Sequence, residues 1–425
     1  MKTKITFLAA FCLLAISNVW ATKHVVTTTA EFTTAWGAYV AGDTIVMAAG
    51  TYSAFGDKTI TKSVTIMAAD TTANATKPII EAGQFIYGLA AASFVMNGIE
   101  AYYFTEAATV VDSKYFLQVV ATNISTVTIP LISLRNCNIH GYSRGLIRAD
   151  NSTATNFPNI TTLFVYNCLI YDISRIRADY SIFACKTGKF TNVIIKNSTF
   201  YNSPSGVWYN ENSDRPVTFL IENCCILKTT NISTTGPQTN ASKLIIYNNG
   251  NIGSNRTIRN TIISDSFDGS STNMQIKFGS NGTDNYGVID NVVFGNNMNA
   301  TLFNSTILAT DIKTQTTTFA YNYPALTITT DPNTISNLGD PRWGINQVAT
   351  SVPAKSEIDV FANLRNNILI IGNLPLNATV NVYSFTGSRL FSKKNSGSIL
   401  QFPVNSSCIV KVTTDKETVS LKVIK

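Results

Sequence analysis

Between residues 134 and 294 the chain repeats one short pattern of apolar and polar positions six times. Each copy places an aliphatic residue two positions before an asparagine, a small residue directly after it, and an apolar residue three positions after it. The alternation has a period of two, which predicts β-strands. The copies recur every 26 to 37 residues, and such a period predicts a solenoid. The six asparagines are Asn136, Asn167, Asn197, Asn223, Asn260 and Asn291.

The asparagine suits a tight bend between two short strands, because Asn adopts the left-handed backbone conformation at low cost. Stacked on successive turns of a solenoid, these side chains can hydrogen-bond one another in a ladder. The apolar positions would then form a continuous interior that no single repeat could bury alone. The repeats therefore predict an all-β protein, a right-handed parallel β-helix with an asparagine ladder.

The flanking segments predict the ends of this domain. Residues 29–40 have helical spacing in Phe32, Trp36 and Tyr39, which predicts a short helix that caps the open end of the β-helix. The repeat fades after Phe294, so residues 295–345 are interpreted as final irregular coils and a cap. The predicted β-helix domain thus spans 22–345, followed by a linker at 346–357. Several strand-like runs in residues 358–425 predict a small C-terminal β-sandwich.

Residues 1–21 have the three parts of a secretory signal peptide. Lys2 and Lys4 form the charged start, residues 5–16 are apolar, and Val19-Trp20-Ala21 is an acceptable cleavage site. We expect cleavage after Ala21 and no lipid attachment. No other segment is apolar over the length of a membrane span. The mature protein is therefore expected to be secreted or held at the outer surface of the cell, as a monomer.

Composition limits the classes of partner. Charged residues make up 13% of the 425 residues and the formal net charge is +7. The basic residues are scattered, which argues against nucleic acid as a partner and favours a mild attraction to acidic polysaccharide. The mature chain has six cysteines and two histidines without metal-site spacing, so no metal site is predicted from them. Cys137, Cys168 and Cys224 occupy the small position after the asparagine and are interpreted as stacking residues; the disulfide state of Cys185, Cys225 and Cys408 stays open.

The C-terminal region carries a specific resemblance. The run from Ala378 to Gly387, the strand Ile409–Val412 and the basic end at Leu421–Lys425 resemble the C-terminal sorting domain of the type IX secretion system of Bacteroidetes. The glycine usual before the penultimate strand is replaced by Asn405-Ser-Ser-Cys408. The resemblance implies that residues 358–425 engage the type IX secretion machinery and are then removed or anchored at the surface. A small carbohydrate-binding sandwich is the alternative.

The helical region carries a looser resemblance. The segments Gly42–Val46 and Gly50–Tyr52, the asparagine repeats and the closing Gly339-Asp-Pro-Arg-Trp343 are similar to Bacteroidetes β-helix proteins of the pectate-lyase-like and chondroitinase-B-like kind. The resemblance implies action on, or binding of, polysaccharide. The Glu-x-Glu calcium motif of chondroitinase-B-like lyases has no counterpart in the sequence, so Ca²⁺ is left open as a cofactor.

A lyase needs a cation that neutralises the uronate carboxylate and a base that removes the neighbouring proton. Two consecutive repeats supply basic residues at similar offsets from their asparagine, and the next two strands add a lysine and two aromatic residues. We interpret Lys186 or Tyr209 as the base, with Arg148 as a third catalytic residue. The expected substrate-binding residues are Arg144, Arg175, Arg177 and Trp208.

Two alternatives remain open at this stage. Arg144 and Arg175 could pair with Asp150 and Asp179 as a structural ladder instead of binding substrate. The protein could also be a non-catalytic glycan-binding, adhesive or structural surface protein. Hydrolysis is disfavoured, because few carboxylates are placed to act as the pair that it needs.

Overall fold

The structure is a computed structural model of the 425-residue chain. It describes residues 21–72, 75–88, 91–104, 114–120, 128–150, 158–174, 181–185, 188–210, 218–229, 245–248, 256–266, 276–278, 287–295, 308–314, 320–323, 325–329, 338–345, 361–365, 368–372, 374, 377–394, 399–415 and 418–423. The chain forms two compact units, residues Met1–Gln347 and Val348–Lys425. The division lies inside the segment predicted to be a linker.

The described elements are one helix and 36 strands. In chain order they are β1 (Lys23–Val26), α1 (Thr29–Ala38), β2 (Asp43–Met47), β3 (Thr51–Tyr52), β4 (Gly56–Ile60), β5 (Val64–Ala68), β6 (Ile79–Glu81), β7 (Gly83–Tyr87), β8 (Phe94–Asn97), β9 (Glu100–Tyr102), β10 (Tyr115–Val120), β11 (Thr128–Arg135), β12 (Asn138–His140), β13 (Gly145–Asp150), β14 (Asn159–Tyr166), β15 (Leu169–Tyr171), β16 (Ser181–Cys185), β17 (Lys189–Lys196), β18 (Thr199–Ser203), β19 (Gly206–Asn210), β20 (Thr218–Glu222), β21 (Cys225–Thr229), β22 (Ile246–Asn248), β23 (Arg256–Ser264), β24 (Ile276–Phe278), β25 (Gly287–Phe294), β26 (Leu308–Thr314), β27 (Ala320–Asn322), β28 (Thr327–Thr329), β29 (Gly344–Ile345), β30 (Phe361–Arg365), β31 (Ile368–Gly372), β32 (Thr379–Ser384), β33 (Arg389–Lys394), β34 (Ile399–Pro403), β35 (Cys408–Thr413) and β36 (Thr418–Val423).

Two large parallel sheets build most of the described part of the first unit, which also contains a small sheet of β27, β28 and β29. One has eight strands, in the order β24-β22-β19-β16-β13-β10-β7-β4. The other has 18 strands and turns a corner at each asparagine, so that β11, β14 and β17 lie before the corner while β12, β15 and β18 lie after it. Each strand pairs in parallel with its counterpart one repeat away. This confirms the predicted parallel β-helix.

The interior is filled by residues at matching positions of successive repeats. In the eight-stranded sheet the register aligns large apolar residues, each fully buried: Phe85, Leu117, Ile147, Phe183, Trp208, Ile246 and Ile276. Burying such side chains contributes about 1.5–3 kcal/mol each. The apolar surface that drives folding is therefore shared between repeats.

The position after each asparagine is also fully buried, in agreement with the interpretation of its cysteines as compact stacking residues. Cys137, Cys168 and Cys224 have no exposed surface, and the six described cysteines are free thiols. Burial raises the pKa of the Cys224 and Cys225 thiols. Both thiols are therefore protonated and unreactive at neutral pH.

The asparagine ladder is present at the predicted corners. All six asparagines have φ between 50° and 54°. Asn167 Nδ2 donates to Asn136 Oδ1 at 2.6 Å, and Asn291 Nδ2 donates to Asn260 Oδ1 at 2.8 Å. Asn97 joins the ladder from one position early: it accepts from Asn136 Nδ2 at 2.8 Å, while Gly98 takes the bend with φ 75°. In the sequence, Val95 fits the repeat around Asn97, but the apolar Ile99 comes one place early. The corner at Gly98 accounts for this shift of one residue.

A second row of left-handed residues lies five positions after the first and was not predicted. It consists of Gly141, Asp172, Asn202, Lys228 and Asp265, with φ between 49° and 67°. Asn202 Nδ2 donates to Asp172 Oδ1 within this row. Each of these five described repeats thus turns two corners, and the four residues between the two corner residues form the third face of the β-helix.

We expect substitutions of Asn167 to separate the two contributions of the ladder. Asn167→Gly keeps the left-handed backbone but loses the side-chain hydrogen bonds, which should lower the free energy of unfolding by about 1–3 kcal/mol. Asn167→Ala should cost about 1 kcal/mol more, because a Cβ disfavours this conformation. Denaturant unfolding of both variants measures the difference. Equal stability of the Gly and Ala variants would contradict a backbone role for this corner.

Helix α1 covers the N-terminal end of the interior. Thr28 caps it by accepting a hydrogen bond from Glu31 N at 3.2 Å, and Glu31 Oε2 accepts from Thr27 N at 2.6 Å. Phe32 is fully buried and lies 4.6 Å from Phe55, measured between ring centroids. The helix ends at Ala38, two residues before the predicted boundary. No helix in the described part of the chain is long and apolar enough to cross a membrane.

The segment Gly339–Gly344, predicted to be part of an end cap, lies instead against the third face of the β-helix. Asp340 Oδ2 accepts a hydrogen bond from Thr199 Oγ1 at 2.6 Å, and Trp343 Nε1 donates to the same hydroxyl at 2.7 Å. Arg342 Nη1 donates to Asn167 O at 3.3 Å. We call this segment the strap. It covers an apolar patch made of Cys225, Leu227, Ile262, Val293, Ile328 and Leu338.

The final irregular coils include one more regular repeat. Strand β26 pairs in parallel with β25, so that Leu308 is opposite Val288 and Ile312 is opposite Val292. In the sequence, Leu302, Asn304, Ser305 and Ile307 match the asparagine motif, but they lie outside the described residues. The last described repeat of the stack is therefore built by a segment that lacks the asparagine.

The second unit contains two antiparallel sheets. One has the strand order β30-β31-β34 and the other β33-β32-β35-β36. The inward residues of both sheets form one core: Leu369, Ile371, Val380, Val382, Leu400, Phe402, Val410 and Val412. This agrees with the predicted small β-sandwich.

Candidate functional site

The outward side of the eight-stranded sheet brings predicted site residues into one column. The register places Gln118 beside Arg148, Arg148 beside Ala184, and Ala184 beside Tyr209. Their neighbours in the strands fill the interior, so this column points outward. Arg148 and Tyr209 stand two strands apart, about 10 Å. Two of the predicted catalytic residues therefore share one face.

The ring of Tyr115 contacts two arginines near this column. The guanidinium carbon of Arg148 is 5.4 Å from the centroid of the Tyr115 ring, and that of Arg144 is 5.7 Å from it. Both arginines are partly exposed. Cation–π contacts of this length attract a guanidinium to the face of an aromatic ring. We call Tyr115, Arg144, Arg148 and Gln118 the basic cluster.

The backbone around the basic cluster is fixed by contacts between neighbouring repeats. Arg144 N donates to Lys114 O at 3.1 Å, and Lys114 N donates to Ser143 Oγ at 2.7 Å. Lys114 Nζ lies 3.7 Å from Asp57 Oδ2. The backbone that carries Arg144 is therefore held in place by hydrogen bonds to the neighbouring repeat.

Amide side chains extend the polar surface towards the N-terminal end. Gln84 Nε2 donates to Gln118 Oε1 at 2.9 Å, and Gln84 is buried while Gln118 is half-buried. This hydrogen bond fixes the orientation of the Gln118 amide, whose nitrogen remains a donor. Amide and guanidinium donors together suit the hydroxyl and carboxylate groups of an acidic sugar.

The face becomes more enclosed towards Tyr209. Ala184 is 5% exposed and Tyr209 is 4% exposed, although both point away from the interior. Other residues of the same protein therefore cover this part of the face. A polymer could contact the basic cluster directly, whereas Tyr209 is reached only if the covering chain leaves room for a sugar ring.

Trp208 corrects the sequence-based prediction. Its side chain is fully buried, and its ring lies 5.1 Å from Phe190 and 5.3 Å from Phe219. Successive residues of a strand point to opposite faces, so Trp208 points inward because Tyr209 points outward. Trp208 belongs to the core and is removed from the substrate-binding residues.

The remaining predicted site residues are Arg175, Arg177 and Lys186. They lie outside the described residues, as does Asp179. Asp150 has a placed backbone in β13, but its side chain is not among those described. The alternative structural pairs Arg144–Asp150 and Arg175–Asp179 therefore stay predictions.

Charged residues before the corner form a different kind of column. Lys196 Nζ is 2.7 Å from Glu222 Oε2, and Arg259 Nη2 is 2.5 Å from Glu222 Oε1. Burial raises the pKa of Glu222, but the hydrogen bonds from Lys196 and Arg259 lower it overall. The Glu222 carboxylate thus pairs with both cations across three repeats. Their column is a structural ladder, in contrast to the basic cluster.

The third face carries a stack of rings that sequence analysis missed. His140 lies between Tyr102 and Tyr171, with ring centroids 5.2 Å and 4.4 Å away. His140 Nε2 is 3.6 Å from Glu100 Oε1, and this contact is the largest cause that lowers the Glu100 pKa. The rings face one another, so the stack contributes to the packing between repeats. The signal was the aromatic residue four positions after Asn136 and Asn167.

Among the described residues, no group of three or more His, Cys, Asp or Glu side chains could hold a metal ion. The Glu100–His140 pair and the Glu222 column each lack a third ligand of this kind. Ca²⁺ therefore stays an open prediction, and the basic cluster is the described site with the clearest chemistry.

Comparison with known proteins found similarity only at the level of structure. No protein-family model matches the chain, and no curated protein matches it in sequence. An alginate lyase from Paenibacillus sp. str. FPU-7 superposes with a TM-score of 0.37 and 12% identity, covering 69% of this chain and 96% of that one. The pectate lyase Pel9A superposes with a TM-score of 0.32 and 12% identity, covering 70% of this chain and 78% of that one.

A third structure, the PL6 family alginate lyase AlyGC, gives a TM-score of 0.29 and 10% identity, covering 78% of this chain and 59% of that one. The assignment of the fold rests on the parallel strand pairing described above rather than on these similarities.

Proposed function

We propose that the protein binds an acidic polysaccharide along the outward face of its eight-stranded sheet and cleaves it by β-elimination. The observation that carries this proposal is the column that joins Arg148 to Tyr209, with both Arg144 and Arg148 in contact with the ring of Tyr115. A parallel β-helix repeats such positions at the spacing of its strands, which suits a polymer of repeating charge.

The chemistry assigns one role to each part of the column. Arg144 and Arg148 bind the uronate carboxylate and stabilise the negative charge that develops when the adjacent C5–H bond breaks. Tyr209, as phenolate, accepts the C5 proton; Lys186 is the alternative base. The C5 electrons form a C4–C5 double bond, and the bond from C4 to the glycosidic oxygen breaks. The proton that the base removed from C5 is passed to that oxygen, so the base returns to its starting form. No other reactant is needed.

One observation favours a second candidate function, glycan binding without cleavage. Tyr209 is 4% exposed. A base that substrate cannot approach cannot remove a proton. The basic cluster would then serve an adhesive or structural surface protein, which binds the same polymer and leaves it intact.

Export is a separate part of the proposal. It is supported by the leader-like pattern of residues 1–21 and by the resemblance of residues 358–425 to type IX sorting domains. Detection of the protein at the cell surface or in the medium, with loss on deletion of residues 358–425, would test it.

Substitutions in the column should distinguish the two functions. Purified protein is incubated with pectins, alginates and glycosaminoglycans, with and without Ca²⁺, while ultraviolet absorbance follows the unsaturated product. We expect Arg148→Ala to weaken binding about 10–100-fold, because a charge-assisted hydrogen bond is lost. Tyr209→Phe should lower turnover about 10²–10⁴-fold and leave affinity unchanged if Tyr209 is the base.

Arg135→Ala is the matched control. Its guanidinium also lies over an aromatic ring, 4.8 Å from Phe164, but on the other sheet. Binding without any absorbance change would support the non-catalytic function. Unchanged binding and turnover in Arg148→Ala would remove the basic cluster from both proposals.

A further inference from the structure

Asp43 is a buried carboxylate at the N-terminal end of the β-helix. It is 1% exposed and accepts backbone hydrogen bonds from the residue before β1 and from the loop after α1. Oδ2 accepts from Val40 N at 2.9 Å and lies 2.8 Å from His24 Nε2. Oδ1 accepts from Thr22 N at 2.6 Å. A carboxylate so withdrawn from water needs positive charge close to it.

The donor Thr22 has a special place in the sequence. It directly follows Ala21, where the leader pattern predicts cleavage. Thr22 is exposed, and Thr44 N donates to its carbonyl oxygen at 2.9 Å, so the backbone here already lies beside β2. The nitrogen that would become the new chain terminus is therefore held on Asp43 by a neighbouring backbone contact.

We propose that Asp43 is a binding site for a primary ammonium group, the α-ammonium of Thr22 that forms when residues 1–21 are removed. Hydrolysis of the Ala21–Thr22 peptide bond consumes one water; Ala21 leaves with the new carboxylate and Thr22 keeps the new amine, which takes up a proton. The amide N–H that donates to Asp43 becomes a cation at the same position. A neutral hydrogen bond thereby becomes a partly buried ion pair.

The surroundings of Asp43 fit this ligand. The His24 imidazole, partly exposed, can donate through Nε2 in its neutral form, so Asp43 does not depend on a charged histidine. Burial raises the pKa of Asp43, but the hydrogen bonds from Thr22, Val40 and His24 lower it overall, so the carboxylate is ionised at neutral pH. Charge-assisted hydrogen bonds are about twice as strong as neutral ones.

The consequence is that removal of residues 1–21 creates the ion pair that holds the first repeat in place. Strand β1 pairs only with β2 among the described strands, so the ion pair ties down the outermost strand of the sheet. A chain that still carries its leader has the same residues but lacks this charge. The inference does not depend on the polysaccharide site.

The test compares two N-terminal forms of the full mature chain, one beginning at Thr22 and one at Ala21. Both carry one α-ammonium, but the extra residue moves it about 3.5 Å along the chain. We measure the rate at which an acylating reagent labels the α-amine near neutral pH, and the midpoint of thermal unfolding. We expect the Thr22 form to be labelled about tenfold more slowly and to unfold at higher temperature.

Asp43→Asn should abolish both differences, whereas Asp57→Asn should preserve them because that carboxylate is 47% exposed. If Asp43→Asn does not fold, the two forms with Asp43 intact still decide the question. Equal labelling and equal midpoints would overturn the proposal, as would a difference that survives Asp43→Asn. A secreted protein that starts at a residue other than Thr22 would overturn it as well.

Discussion

Asp340→Ala should lower the free energy of unfolding by about 3–5 kcal/mol, because it leaves a partly buried guanidinium without its counter-charge. The Asp340 side chain is fully buried and is bound by Arg342 through Nε at 3.0 Å and through Nη2. It also accepts the hydrogen bond from Thr199 Oγ1 at 2.6 Å. Burial lowers the pKa of Arg342, but the hydrogen bond to Asp340 raises it overall, so the guanidinium stays charged.

Denaturant unfolding of the full chain measures this effect, and a surface pair provides the control. Asp57 and Lys114 are 3.7 Å apart with Asp57 47% exposed, so Asp57→Ala should cost about 0–1 kcal/mol. Arg342→Ala should be as damaging as Asp340→Ala, and the double substitution should cost less than the sum. Additive effects, or a loss of less than 1 kcal/mol for Asp340→Ala, would show that the strap does not hold the third face.

The strap could not have been predicted from the sequence, whereas the asparagine ladder could. The ladder follows from a local rule applied six times, since each asparagine stands in the same short context. The contact of Asp340 with Thr199 spans 141 residues and occurs once. Periodicity carries no information on such a contact, and the Gly339–Trp343 segment is interpreted from sequence only as part of the final coils and cap and of a resemblance.

The second row of corners was missed for a related reason. Its residues differ in type: a glycine at 141, aspartates at 172 and 265, an asparagine at 202 and a lysine at 228. What they share is an offset of five from the ladder asparagine, and only φ above zero makes that offset meaningful. A left-handed lysine is costly on its own. Packing between repeats imposes the corner there, so residue preference does not reveal it.

The candidate site shows what can be predicted from strand parity, the alternation of successive side chains between the two faces of a strand. Sequence analysis placed Trp208 and Tyr209 in one substrate groove, although consecutive residues of a strand point to opposite faces. Applying parity with Ile147 and Phe183 as interior residues would have put Trp208 inside and kept Arg148 with Tyr209 outside. The contact of both Arg144 and Arg148 with Tyr115 needed the register between β10 and β13, which depends on loop lengths.

Trp208→Ala should destabilise the protein by about 3–5 kcal/mol, as expected when a large buried aromatic is removed from a packed interior. The ring contacts Phe183, Phe190 and Phe219 in three different repeats, so the cavity would interrupt the packing between those repeats. Trp208→Phe should cost less, because it keeps an aromatic ring in the cavity. Thermal and denaturant unfolding measure both variants.

The same variants decide between the core and the groove as the location of Trp208. If its ring is in the core, Trp208→Phe binds polysaccharide as the unsubstituted protein does, while Arg148→Ala binds less. A substrate-binding indole predicts the reverse: Trp208→Phe and Trp208→Ala would lose affinity at unchanged stability, because the lost contact would be with the sugar. That result would also invert the parity of β19, and Tyr209 would then point into the core instead of lying in the column of Arg148.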